Sequence, residues 1–214
     1  MKHLFVSLAI LSLPLSSVRA SEQDTVDRCA IIVREFRHMP EKGIPRDVLR
    51  HAKGLAIISV LKAGFIFSGK AGNGLVVART ERDWSGPSFI ATGGAGWGAQ
   101  IGAQVTDYVF VLNNDAAVRA FSRGGNVTLG ADASIAAGPV GRTAEAGITR
   151  AAAIYAYSRS KGLFAGISLE GAVIATQSAA NARYYGQQVK ARQILQGDVP
   201  PPTSAGTLRA SLAR

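Results

Sequence analysis

The stretch from residue 89 to 112, FIATGGAGWGAQIGAQVTDYVFVL, alternates between two classes of side chain and constrains the fold more than any other part of the chain. Its odd positions are apolar from Ala95 to Val105, whereas its even positions are small or polar from Gly94 to Thr106. A period of two places these classes on opposite faces of a β-strand. Each glycine would cost a helix about 1 kcal/mol relative to alanine. Glycine along one face of a strand indicates bending, close backbone approach or a ligand surface. The sequence therefore predicts a long, curved strand or strand pair with a glycine-rich face.

Two helices are predicted before this region. Apolar residues between Thr25 and His38 recur at i, i+3, i+4 and i+7, which is typical of an amphipathic helix, and Asp24 suits its N-cap. The balanced charges on the polar face of this helix favour packing against a core over lying on a membrane. A second helix is expected from Pro45 to Gly54, with the proline in its first turn and the glycine at a left-handed stop.

The rest of the chain mixes strand and helix signals. Strands are expected between Leu55 and Leu112, with a turn at Gly72-Asn73-Gly74. The further predicted elements are a capped helix at 116–123, a strand at 126–138, a hairpin at 151–176 around residues 158–162, a helix at 181–195 and a frayed helix in the last twelve residues. Strands in series between terminal helices indicate an α+β fold: one curved, largely antiparallel, glycine-rich sheet or open barrel, flanked by N- and C-terminal helices. No βαβαβ order occurs, which disfavours a doubly wound parallel sheet.

The first twenty residues match a secretory signal peptide. Lys2 precedes an apolar run, and Val18-Arg19-Ala20 forms a small-residue cleavage site before Ser21. The run contains Pro14 and is too short to span a membrane comfortably. We therefore expect a signal peptide at 1–20, a single domain at 21–198 and a proline-led tail at 199–214. The expected location is outside the cytoplasm, periplasmic or envelope-associated, or secreted. Cys29 is the only cysteine, so an intrachain disulfide is excluded, and a buried position on the first helix is expected for it.

The sequence offers no convincing catalytic or metal site. His38 and His51 are the only histidines after the leader, and both fall on predicted helix surfaces without a nucleophile elbow elsewhere. They and one cysteine do not make a zinc ligand set. The segment Gly94-Ala95-Gly96-Trp97-Gly98 is neither a dinucleotide-binding nor a Walker motif. We therefore predict a protein that is not an enzyme and that binds neither metal nor cofactor.

Four carboxylates, Asp107, Asp132, Glu145 and Glu170, are the remaining candidates for acid–base chemistry. The favoured interpretation of Asp132 and Glu170 is that of solvated side chains on the polar faces of strands. A hydrolase that uses either of them is therefore the last-ranked alternative. Nucleic acid is not an expected partner, because aromatic residues are not interleaved with lysine and arginine along the strands.

The formal net charge of +10 favours anionic partners such as phospholipid headgroups. Arg46, Arg50 and Lys53 recur at i, i+4 and i+7 and form a basic ridge on the second helix, with Lys42 before it and Lys62 beyond it. No carboxylate of that helix has the spacing to neutralise the whole ridge. These five residues are the candidate lipid-binding site, against the alternative of an ordinary solvated helix face.

The order of several short motifs resembles the SYLF-domain family, a lipid-binding module found in bacteria and in SH3- and FYVE-containing eukaryotic proteins. The matching residues are Ile44-Pro45, 52–57, 62–65, Gly72, Gly74, Trp84-Ser85, Pro87-Ser88, Gly96, Gly98, 100–102, Gly138, Gly141-Arg142, Tyr157-Ser158, 161–164, Gly166 and 184–186. Each motif is weak by itself, but their order is specific. The resemblance extends from about Pro40 to Gly197.

The resemblance implies binding of anionic phospholipids, which are phosphoinositides for eukaryotic relatives, through basic residues and an amphipathic N-terminal segment. Some eukaryotic relatives also bind and bundle actin. The predicted export argues against actin as a partner. It also favours phosphatidylglycerol, cardiolipin or another acidic amphiphile over phosphoinositides in a bacterial envelope. The leading prediction is a peripheral lipid-binding protein at a membrane surface. The alternative is an envelope structural or adaptor protein that binds another protein through the glycine-rich sheet face.

Overall fold

The computed structural model of the protein describes residues 21–39, 43–140, 152–162 and 172–213, with side chains except at 65–67, 96–101 and 161–162. The helices are α1 Glu22–His38, α2 Arg46–His51, α3 Asp115–Ser122, α4 Ser178–Tyr185, α5 Ala191–Gln196 and α6 Gly206–Leu212, with a 3-10 turn at Thr203–Ala205. The strands are β1 Gly54–Ala78, β2 Ser88–Leu112, β3 Asn126–Thr128, β4 Ile135–Ala137, β5 Ile154–Gly162 and β6 Val173–Thr176. This arrangement confirms the predicted α+β class with a curved sheet and helices towards both ends of the chain.

The sheet is organised around β2, which pairs with three other strands. Its whole length lies antiparallel to β1, from Gly54 opposite Leu112 to Val76 opposite Ser88. Residues 104–112 of β2 also pair with β5, and residues 90–92 pair with β6, both antiparallel. β3 continues the sheet beyond β6, and β4 continues it beyond β5 as a parallel pair. The long glycine-rich strand predicted from alternation is therefore confirmed and forms the centre of the fold.

Strand β1 bends back on itself, and glycine makes this possible. A Cβ on Gly74 would collide with the carbonyl oxygen of Ile57 and lie 2.7 Å from the Cα of Ile58. The two ends of the 25-residue strand consequently meet, and the N–H of Arg79 donates to the carbonyl of Lys53 at 2.8 Å. The predicted turn at residues 72–74 is wrong. These residues lie inside β1 opposite residues 90–92, because the glycines serve close backbone approach instead of a reversal.

Two apolar layers cover the two faces of the sheet. Val109 and Val111 face a cluster that includes α1, α2 and α6, whereas Tyr108, Phe110 and Leu112 face a cluster that includes α3 and β3. The alternation of β2 thus places core residues on both faces over this part of the strand, as expected of a strand covered on both sides.

The first helix begins earlier than predicted. Its N-cap is Ser21, whose hydroxyl accepts from the N–H of Asp24 while the Asp24 carboxylate accepts from the N–H of Ser21. Asp24 is therefore the third residue of a capping box, and not the N-cap. The predicted packing role is supported by Val26, Val33 and Phe36, which are buried against the sheet.

Three further predictions, one about a helix end, one about a strand and one about a turn, are wrong. Helix α2 ends at His51, and Gly54 begins β1 instead of a left-handed stop. The predicted strand at 126–138 is two short strands, β3 and β4. Residues 158–162, predicted as a hairpin turn, lie inside β5 and pair with β2, while the second arm of that hairpin falls partly on residues 163–171, outside the described residues.

The C-terminal region also differs from the prediction. The helix expected at 181–195 is split into α4 and α5 because Gly186 ends α4 in the left-handed conformation, with φ of 69°. The expected frayed helix is α6, whose Leu208 and Leu212 are buried in the same core as α1. Among the described residues, no helix has the length and apolar character needed to cross a bilayer. The signal peptide predicted at 1–20 lies outside the described residues.

Candidate functional site

The predicted basic ridge is only partly assembled. Arg46 and Arg50 are exposed on α2, and Lys53 is exposed immediately before β1. Arg50 forms an exposed ion pair with Asp47 one turn away, which neutralises one cation and leaves the ridge basic. Lys42 lies outside the described residues.

Lys62 is not part of this ridge. It lies within β1 opposite Gln104, half-buried, about 25 Å further along the strand from Gly54 at roughly 3.3 Å per residue. A single compact headgroup does not reach both Lys62 and the ridge at that separation. Whether either contacts lipid stays a prediction.

A small depression of about 710 Å³ adjoins the ridge. Arg50 and Lys53 line it together with Arg79, Asn113 and Tyr155. Arg79 is brought there by its backbone hydrogen bond to Lys53. The bend in β1 thus adds a third cation that lies far from the ridge in sequence.

A larger cleft, which we call the basic cleft, opens on the other side of Arg79. It has a volume of about 1470 Å³ and lies between α3, α5 and the connection from β1 to β2. The cations that line it, all exposed, are Arg79, Arg82, Arg119, Arg123, Lys190 and Arg192. Its carboxylates are Glu81 and Asp115. The balance of six cations to two carboxylates makes it an anion-attracting surface.

Local structure explains why these side chains stand at the cleft. Arg119 lies in the last turn of α3 and Arg123 is its C-cap, where the helix dipole favours positive charge. Gly124 follows with φ of 68°, the left-handed conformation that is typical of a residue just after a helix end. The guanidinium of Arg79 lies 4.1 Å from the ring centroid of the buried Trp84, which holds it at the border of the two depressions.

Several other cations of the protein have acidic partners, which the cleft cations lack. Arg159 pairs with Glu35 and Asp107, Arg183 with Glu22, and Arg209 with Asp83. Across residues 21–39, 43–140, 152–162 and 172–213, none of the six cleft cations forms an ion pair. Their charge is therefore available to an external anion.

The predicted acid–base candidates have structural partners where the structure describes them. Asp107 is 8% exposed and pairs with Arg159, and the Asp132 carboxylate accepts from the N–H of Thr128 at 2.6 Å. Glu145 and Glu170 lie outside the described residues. His38 and His51 are exposed on helix surfaces, as predicted, where each ring bonds a carbonyl of the preceding turn. Within the described ranges, His, Cys, Asp and Glu side chains do not gather in threes that could hold a metal ion.

The glycine-rich part of the sheet forms a second surface, which we call the distal end: residues 61–71 of β1 and 93–105 of β2. Its polarity is the reverse of what alternation alone suggests. The polar Gln104 and Thr106 are each 1% exposed, whereas Val105 between them is 39% exposed. Leu61, opposite Val105, is 50% exposed.

Sequence reasoning missed most of the basic cleft. Its cations come from residues 79–82, 119–123 and 190–192, and only the folded chain brings these segments together. The detectable signal was local. Arg119 and Arg123 lie one turn apart at a helix end with no acid within the last turn of that helix.

Comparison with known proteins shows the family. The family model described as Las17-binding protein actin regulator, Ysc84, matches residues 93–214. LAS seventeen-binding protein 3 of Saccharomyces cerevisiae is 51% identical over 173 residues, which cover 78% of this chain and 38% of that protein. SH3 domain-containing YSC84-like protein 1 of Homo sapiens is 46% identical over 189 residues, which cover 85% of this chain and 55% of that protein.

The chain thus spans about half or less of the length of these relatives. The name of the yeast relative describes a binding protein, and the family description names a Las17-binding protein and actin regulator. That description gives no support to the expectation that actin is excluded as a partner. The extent and identity of the matches agree with the resemblance found from the motif order, and the chain belongs to the Ysc84 family of SYLF-domain proteins.

Proposed function

We propose that the protein binds anionic phospholipid at a membrane surface, without catalysis, through the basic cleft and the adjoining ridge. The observation that carries this proposal is the set of six cleft cations without an ion pair among the described residues. A surface built only for solubility intersperses charges of both signs. Here two carboxylates face six cations, so the local potential attracts anions.

The chemistry of the cleft suits phosphate-bearing headgroups. Arginine guanidinium groups bind phosphate oxygens through paired hydrogen bonds, and most of the cleft cations are arginines. Because the smaller depression shares Arg79 with the cleft, the ridge residue Lys53 extends the same basic surface. Such a surface meets several headgroups at once, such as phosphatidylglycerol or cardiolipin, and also accepts a more highly charged phosphoinositide-like headgroup.

A binding role without catalysis is supported by the site itself. The candidate carboxylates Asp107 and Asp132 have structural partners, and the two histidines bond their own helices. The relatives are named for what they bind and regulate. We also propose an envelope location, since the first twenty residues have the pattern of a cleaved leader. An N-terminus at Ser21 in protein purified from cells tests that part.

The test is sedimentation with vesicles of phosphatidylcholine and graded phosphatidylglycerol, at low and high salt. A cation near an anionic surface contributes about 1 kcal/mol, so reversal of its charge in Arg119→Glu should weaken binding about 30-fold. The matched control is Arg34→Glu, an exposed cation on α1 outside the cleft with the same change in net charge. We expect the control to lose far less affinity.

Two results would overturn the proposal. One is an equal loss of binding in Arg119→Glu and Arg34→Glu, which would reduce the effect to net charge. The other is the absence of binding to vesicles of any composition.

The second candidate function is an adaptor that binds another protein through the glycine-rich sheet face. It is favoured by a relative named as a LAS seventeen-binding protein, and Leu61 and Val105 add exposed apolar side chains on the opposite face of the same two strands. This function predicts association that depends weakly on salt and not on the content of anionic lipid. The vesicle titration therefore separates the two candidates.

A further inference from the structure

The two depressions on the basic side of the protein share one side chain, that of Arg79. It lines both the smaller depression of about 710 Å³ and the basic cleft of about 1470 Å³. On the other flank, Asn114 lines the smaller depression and Asp115 lines the cleft. Consecutive Cα atoms are about 3.8 Å apart, so the border between the depressions is narrow there. The two depressions therefore form one surface that is divided at Arg79.

Arg79 is held at this border by its backbone and by an aromatic ring. Its N–H donates to the carbonyl of Lys53 at 2.8 Å, and its guanidinium carbon lies 4.1 Å from the ring centroid of Trp84. A guanidinium presents five N–H donors in a planar fork, and paired hydrogen bonds to one phosphate use two of them. Arg79 therefore has donors for a phosphate in each depression at the same time.

Each depression also has a cation of its own beside Arg79. Lys53 is exposed in the smaller depression and Arg119 in the cleft, and neither forms an ion pair in the part of the chain that the structure describes. Arg50 also lines the smaller depression, but its charge is offset by Asp47. A phosphate in either depression thus meets one unpaired cation in addition to the shared arginine.

The charge at the border favours phosphodiesters over phosphomonoesters. Asp115 places a carboxylate on the cleft side of the border, and this carboxylate repels dense negative charge. A phosphodiester carries a single negative charge, whereas a phosphomonoester carries about 1.5 to 2 at neutral pH. Two phosphodiesters, one on each side of Arg79, therefore use the cations of both depressions with little repulsion from Asp115.

We propose that the two depressions together bind one lipid whose headgroup holds two phosphodiesters on a single glycerol, the chemistry of cardiolipin, with Arg79 between the two phosphates. This inference rests on the proposed function, and it adds which class of anionic phospholipid the surface selects. Because the two phosphates share one short bridge, the second binds at a high effective concentration once the first is bound. A lipid with one phosphate, such as phosphatidylglycerol, occupies each depression separately and lacks this advantage.

The experiment compares vesicles of equal charge. Phosphatidylcholine vesicles carry either cardiolipin or twice the molar amount of phosphatidylglycerol, at a low anionic content where two phosphatidylglycerol molecules rarely lie side by side. Binding of the purified protein is measured by sedimentation. The test variants are Arg79→Gln at the border and Lys53→Gln in the smaller depression. The matched control is Arg82→Gln, which removes an exposed cation that lines the cleft and not the smaller depression.

We expect the unaltered protein to bind the cardiolipin vesicles about tenfold more tightly than the phosphatidylglycerol vesicles, because its two phosphates are linked. In Arg79→Gln and Lys53→Gln the two affinities should become nearly equal, since the second phosphate loses its cation. Arg82→Gln should weaken binding to both kinds of vesicle and keep their ratio. Arg79→Lys keeps the charge but lacks the planar fork, so it should also lose most of the preference.

Three outcomes would count against this selection. Equal binding of the unaltered protein to both kinds of vesicle overturns the inference and leaves the proposed function intact. A preference that Arg79→Gln and Lys53→Gln retain, or that Arg82→Gln loses to the same extent, overturns it as well. Absence of binding to either kind of vesicle overturns the proposed function too. Circular dichroism identifies the variants that keep the fold, and either test variant alone is sufficient for the comparison.

Discussion

At the scale of single residues, Gly74 controls the bend of β1. A Cβ there meets the backbone of Ile57 and Ile58, which cannot rotate away as a side chain can. We predict that Gly74→Ala lowers the free energy of unfolding by about 3 kcal/mol, the upper part of the usual range for overpacking. Gly69→Ala is the control, because its Cβ would meet no atom within 4 Å. Urea titration of both variants checks this, and equal stabilities would show that the close approach of the backbone is not required.

The same scale shows what residue patterns predict and what they miss. Helical spacing predicts that Arg50 and Lys53 belong to a basic ridge, and the structure places both beside the smaller depression. Arg79 and Arg192 were not identified, because they reach the basic cleft only through the bend of β1 and the packing of α5. Spacing along one element finds the cations of that element, whereas a site shared by three segments depends on tertiary structure.

At the scale of elements, α1 is fixed against the sheet and encloses Cys29. The thiol is buried and lies 3.8 Å from the carbonyl oxygen of Ile57, and burial raises its pKa to about 12. A thiol with so high a pKa is protonated at neutral pH and reacts slowly with alkylating reagents. We predict that iodoacetamide labels Cys29 only on unfolding, as measured by mass spectrometry.

This protection should persist when anionic vesicles are bound. The resemblance to SYLF domains implies an amphipathic N-terminal segment at the membrane, whereas α1 buries its apolar face in the protein core. Labelling of Cys29 that appears on addition of vesicles would show that α1 leaves the core and would contradict the attachment we propose. A Cys29→Ala chain controls for labelling at other groups.

Element prediction succeeded where local signals and packing agree. Helix α3 has an asparagine N-cap, buried Ala117 and Phe121, and two glycines after its end, and it lies within one residue of its expected bounds. The prediction of a turn at residues 158–162 is wrong. It depended on composition, since serine and glycine are typical of turns. Instead, Arg159 stays in the strand, where its ion pairs with Glu35 and Asp107 tie β5 to α1 and β2.

At the scale of the whole molecule, one ion pair joins the connection between the long strands to the C-terminal helix. Burial alone would raise the pKa of the Asp83 carboxyl, but the N–H of Trp84 and the guanidinium of Arg209 outweigh it and hold the pKa below its usual range. A depressed pKa means that the stabilisation is complete above the unfolded pKa and is lost as the pH falls through the folded one.

We therefore predict that Asp83→Asn destabilises the protein at neutral pH and that this difference disappears in strong acid. Urea midpoints of both chains across that range check the prediction. Arg183→Gln, which breaks the separate pair with Glu22, serves as a control for the loss of an unrelated ion pair. A difference between Asp83→Asn and the unaltered chain that stays constant with pH would contradict the role given to Asp83.

The global architecture was predictable because alternation over so many residues admits few folds. The curved sheet with helices towards both ends of the chain follows from that pattern, whereas the return of β1 along itself does not. Periodicity reports which face a residue occupies, but not where a long strand bends. Two glycines that suggest a turn in the sequence in fact permit two backbones to touch, and only the folded chain distinguishes these uses.

The pairing of β1 with β2 also sets an order of assembly. Val76 and Ser88 are near neighbours in sequence, whereas Gly54 and Leu112 pair across the longest loop. Contacts between near neighbours close with the smallest loss of chain entropy, so the ribbon forms first at the connection between the strands and closes last at Gly54. We therefore expect Arg79 and Arg82 to be in place early and Arg119 and Arg123 to join them after the final pairs have formed. A chain that has not finished folding lacks the complete set of cations, so the anion binding that we propose requires a completed fold.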